Sequence, residues 1–86
     1  MSERQPVERF NYFEVFAVPI AGRKVPVYEI ENLRDEIIIG RIEWYGRWNM
    51  YCFMPEPDTV WSSGCLRDVK SVLDKLMGQR RALKNV

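Results

Sequence analysis

Apolar and polar positions alternate over roughly the first two thirds of this 86-residue chain and then change to a helical spacing. Residues 1–11 are polar, carry Pro6 and lack a period, so they are read as a flexible lead-in. Tyr12 to Ile20 (YFEVFAVPI) is β-branched and aromatic, which predicts a strand that Pro19 ends or places at an edge. Ala21-Gly22-Arg23 is a turn signal. In Lys24 to Leu33, Pro26, Tyr28 and Ile30 fall on one side, and Val25, Val27, Glu29 and Glu31 on the other. That pattern predicts a second strand with one wetter face, and Pro26 again suggests an edge.

Ile37 to Met54 holds two aromatic-rich runs that meet at Tyr45-Gly46-Arg47 and predict a hairpin. A two-residue loop at Gly46-Arg47 puts Tyr45 opposite Trp48, Ile42 opposite Tyr51 and Gly40 opposite Phe53, with Gly46 supplying a positive φ. Ile38, Ile42, Trp44, Tyr51 and Phe53 then share a face. A three-residue loop instead pairs Trp44 with Trp48 and reassigns the buried rings; both registers are open at this level. Gly40 marks a place where a ring packs over backbone.

Pro55-Glu56-Pro57-Asp58 cannot continue a ladder, and Trp61 beyond it is expected to fold back onto the core. Ser62, Ser63 and Gly64 are helix-opening residues. Leu66, Val69, Val72, Leu73, Leu76 and Met77 recur at helical spacing, so a helix over Cys65–Met77 is expected to pack through Leu66, Val69, Leu73 and Leu76, with Gly78 as its stop. The expectation is one α+β domain over residues 12–78: an antiparallel sheet of three to four strands, order β-β-β-β-α, with a C-terminal amphipathic helix on one face. Residues 79–86 form a basic C-terminal tail.

Composition narrows the chemistry. Thirteen Lys and Arg face twelve Asp and Glu, for a net charge of +1, which removes the simplest electrostatic case for nucleic-acid binding. The charge is uneven: Arg80, Arg81 and Lys84 put +3 in the tail, and residues 1–78 hold −2. There is no histidine, so imidazole catalysis is out, and Cys52 and Cys65 lack a base to activate them. Two cysteines without C-x-x-C spacing neither frame a disulfide scaffold nor close a zinc site. They read as free, buried thiols of a reducing cytoplasm. No apolar run spans a membrane. No enzyme activity, cofactor or metal is expected. Glu29, Glu31 and Glu43 read as strand charges that discourage edge pairing.

Tyr45, Arg47 and Trp48 gather at the hairpin tip, where burial is hardest, and are the candidate protein-binding residues. Arg41, Arg47, Trp48, Arg80, Arg81 and Lys84 are the candidate nucleic-acid contacts of a second reading, in which rings stack on bases and cations meet phosphate. The apolar strand Tyr12–Ile20, with an open edge, makes a homodimer through it a further expectation.

The stretch YEI…IGRIEWYGRWNMYCFMPEPDTVWSSGCLRDVKSVLDKL resembles a group of short proteins of bacteriophages and mobile elements. Its pattern is a W-Y-x-x-W-x-x-Y-C-F hairpin, a P-E-P-type loop and a C-L-x-D helix. The resemblance implies a phage-like genetic setting and no particular chemistry. A protein partner, as for an inhibitor of a host system, suits that setting. The first 27 residues depart from the pattern, which marks the strand Tyr12–Ile20 as peculiar to this chain. In architecture alone, three strands plus a helix is also similar to integrase-type DNA-binding domains and to part of double-stranded-RNA-binding domains.

Overall fold

Every strand pairs antiparallel with the strand that follows it in the chain. A computed structural model describes residues 4–84. It places β1 at Gln5–Arg9, β2 at Phe13–Val18, β3 at Val27–Asn32, β4 at Ile38–Tyr45, β5 at Met50–Pro55 and α1 at Ser63–Lys84. The class is α+β as expected, but the sheet has five strands rather than three to four. The added strand is β1, inside the segment read as a lead-in. QPVER shows no alternation because it is held by its ladder to β2, not by burial, and its register slips by one residue between Pro6 and Glu8.

With β1 in place, β2 has no free edge, so the edge pairing expected to carry a homodimer through Tyr12–Ile20 is already occupied. Pro19 and Pro26 lie just outside β2 and β3, and β3 is the central strand. These prolines mark strand ends, not sheet edges.

Phe13, Val15, Ile30, Ile42 and Tyr51 from the sheet and Val69, Val72 and Leu76 from the helix form the buried core. Ser62 sets the helical phase: its Oγ accepts from the Cys65 N–H at 3.1 Å and its carbonyl accepts from the Leu66 N–H at 2.9 Å. That start turns Cys65, Val69, Val72 and Leu76 inward. Leu66, expected in the packing face, is 46% exposed, and Leu73 is half-buried. Gly78 is not a stop. It has no positive φ, and the helix continues through QRRALK, which are good helix formers. The residues read as a basic tail are thus helical as far as Lys84.

The aromatic core continues beside the helix. Trp61 folds back as expected, edge-on to Phe53 at 4.8 Å and to Phe13 at 6.0 Å. Gly40 lies beneath these rings: a Cβ there would be 3.0 Å from Phe53 Cε1 and 3.3 Å from Trp61 Cζ2. Between Ile30 and Glu31 the β3–β4 register shifts by one residue of β4, which brings Ile39 rather than Ile38 against the core.

Candidate functional site at the hairpin tip

The β4–β5 loop is four residues long, Gly46 to Asn49, so neither expected register holds. Two successive turns close it: the Trp48 N–H donates to the Tyr45 carbonyl at 3.1 Å and the Asn49 N–H to the Gly46 carbonyl at 3.2 Å. The left-handed residue is Asn49, φ 57°, and not Gly46. Tyr45 pairs with Met50, Trp44 with Tyr51, Ile42 with Phe53 and Gly40 with Pro55. Relative to the two-residue loop this is a slip of two residues, and an even slip leaves each side chain on its face. Ile42, Tyr51 and Phe53 therefore still point to the helix side.

The tip brings together the three candidate binding residues. Tyr45 is half-buried and meets Trp48 edge-on, with ring centroids 5.0 Å apart at 80°. Trp48 is 62% exposed. Arg47 is exposed and makes no ion pair among the described residues. Exposed Met50 lies across from Tyr45. Tyr45, Trp48, Cys52, Phe53 and Met54 line a shallow hollow of about 220 Å³.

The five candidate nucleic-acid contacts whose side chains are described do not converge. Arg41 lies on the helix-free face, where its guanidinium binds Glu43 and Glu56, each at 3.0 Å. Arg23 also binds Glu43, at 3.1 Å. Burial pushes the Glu43 carboxyl up, but hydrogen bonds from Arg23 and Arg41 outweigh it and hold the group below its ordinary value. Arg80 is on the other side of the sheet, with its guanidinium 4.0 Å from the Trp44 ring centre. The Tyr51 beside it titrates above its ordinary value because burial outweighs the pull of the Arg80 charge. Arg81 is exposed on α1, its Nε 3.5 Å from the Met77 carbonyl. The Lys84 side chain lies outside the described residues.

Cys52 and Cys65 are free, as expected, but half-buried rather than fully buried. They sit on opposite faces of the sheet, Cys52 across from Glu43 and Cys65 against the core. Among the described residues no group of three or more His, Cys, Asp or Glu could hold a metal ion, and no helix is long and apolar enough to cross a membrane.

A second, larger hollow was not foreseen. It lies at the other end of the sheet, measures about 620 Å³, and is lined by Tyr12, Leu33, Ile39, Val60, Trp61 and Cys65 among others. Tyr12 and Val60 are 69% and 94% exposed there. The sequence signal was Tyr12 and Val60 standing next to buried Phe13 and half-buried Trp61, one position out of the inward set.

No family model matches the chain, and no solved structure matches it. It is similar to an "Uncharacterized 9.3 kDa protein" of Acholeplasma phage L2, 28% identical over 75 residues, which covers 87% of this chain and 96% of the relative. Eleven residues of this chain fall outside that match. The setting is that of a small phage-type protein of unknown function.

Proposed function

We propose that this is a small, non-enzymatic binding protein of phage or mobile-element type, which engages a protein partner through Tyr45, Arg47 and Trp48. The observation that carries the reading is Trp48. A ring that is 62% exposed, held edge-on by Tyr45 and flanked by Arg47, which makes no ion pair among the described residues, has the composition of a binding anchor. It lies outside the core cluster, so packing of the core does not account for its placement. Inhibition of a host system is one form such binding takes in a phage setting. Nucleic acid is the weaker reading, because Arg41 is tied up by two carboxylates and Arg80 is stacked on Trp44 across the sheet.

The test compares the parent chain with Trp48→Ala as baits in lysate, with and without nuclease. A protein that survives nuclease, is retained by the parent and is lost by Trp48→Ala supports the reading, provided both baits melt alike. Loss on nuclease treatment favours nucleic acid. If Trp48→Ala retains the same partners with unchanged affinity, the tip is not the binding site.

A further inference from the structure

The β1–β2 loop, the β3–β4 loop and the segment that leads into α1 meet at the end of the sheet opposite Trp48. Between them lies the hollow of about 620 Å³, with apolar walls from Leu33, Ile39, Trp61 and Cys65. Tyr12 and Val60 stand at this hollow as exposed apolar knobs, 69% and 94% accessible. Large apolar groups beside an apolar hollow are the mark of a covered surface. We propose that a second copy of the chain covers it, giving a two-fold symmetric dimer.

Two features favour a second copy over a foreign partner. Knob and hollow adjoin on one surface, and a two-fold axis places each knob at the other copy's hollow. The charges beside them are also self-complementary. The loop carries Arg34, which lines the hollow, followed directly by Asp35 and Glu36, all three exposed. None of the three forms an ion pair within the chain among the described residues. Across a two-fold axis, Arg34 of each copy meets the acids of the other, and opposite charges at the rim fix the orientation of docking. The ends of the strands are used here, so the unavailable edge of β2 is no obstacle. This proposal is independent of the role given to Trp48.

Sedimentation velocity tests it on the full chain. The parent is expected to dimerise by about 100 µM, and Val60→Asp to raise the dissociation constant about tenfold or more. Val60 is almost fully exposed, so the variant's melting temperature at concentrations where both chains are monomeric should match the parent's. Arg34→Glu and Glu36→Lys should each weaken self-association, and an equimolar mixture of the two should restore it. Trp48→Ala should leave the dimer intact. A parent that stays monomeric to about 1 mM overturns the proposal. So does a dimer indifferent to Val60→Asp, a charge-swapped mixture that fails to recover, or a dimer lost with Trp48→Ala.

Discussion

Gly40→Ala is the sharpest test of the packing around Trp61. A methyl group at Gly40 meets Phe53 Cε1 at 3.0 Å, Trp61 Cζ2 at 3.3 Å and the Met54 carbonyl oxygen at 3.4 Å. The first two distances are tighter than ordinary carbon contacts, so the rings must give way by a few tenths of an ångström. They cannot do so singly, because Phe53 and Trp61 are packed edge-on to each other and Trp61 is also edge-on to buried Phe13. The Trp61 Nε1–H is anchored too, donating to Thr59 Oγ1 at 2.8 Å. Overpacking of this kind costs about 1–3 kcal/mol. Replacing glycine in a strand returns about 0.5–1 kcal/mol of backbone entropy. The net loss centres on about 1 kcal/mol and reaches about 2.5 kcal/mol at most, with each kcal/mol lowering the melting temperature by roughly 4–8 °C for a domain of this size. Urea unfolding followed by tryptophan fluorescence measures it. Phe53→Leu in the same chain should recover part of the loss, because it removes the nearest ring atom. A Gly40→Ala variant as stable as the parent refutes the reasoning, since the rings would then have room to move.

Along the helix, Leu76→Ala should cost about 2–5 kcal/mol, whereas exposed Leu66→Ala should stay within about 0.5 kcal/mol, both by chemical denaturation. Arg80→Ala should cost about 1 kcal/mol through lost stacking on Trp44, and Arg81→Ala close to nothing. Glu43 has a lowered titration point, so its contribution is complete above its ordinary value of 4.5 and disappears as pH falls through the folded-state value. Glu43→Gln should therefore be less stable than the parent at pH 7 by about 1 kcal/mol, and the two stability curves should converge as pH falls below the folded-state value.

Periodicity in the sequence located β2 to β5 and α1 because each of these has a face that must be buried. It missed β1, whose residues are mostly exposed and whose strand form comes from β2. The core faces of β5 and of β4 from Gly40 onward were legible although the loop length was not, and at the start of β4 the shifted register puts Ile39 where Ile38 was expected. Asn49 takes the left-handed position that Gly46 was expected to fill, and the resulting slip of two residues moves partners without turning any side chain over. Arg80 was read as part of a basic tail because a ring 36 positions earlier in the chain, Trp44, is invisible to local pattern. The tip residues were legible as a group, since sequence neighbours around a tight turn stay neighbours in space. The hollow at the other end was not, because Tyr12, Leu33 and Val60 come from three separate connections.

The strict sequential pairing of the strands also bears on how the chain acquires its structure. A meander grows one hairpin at a time, and each new strand closes only a short loop onto the one before it, a topology associated with fast folding. The helix does not share this advantage: its anchors reach back as far as Glu8, which Lys75 meets at 3.5 Å. During synthesis the whole sheet precedes α1, so Phe13, Val15, Ile30 and Ile42 wait uncovered until the helix is made. The window of greatest aggregation risk is therefore the interval between completion of β5 and docking of α1. A chain cut short after Pro55 should show that exposure permanently, as an insoluble product rather than a weakened fold.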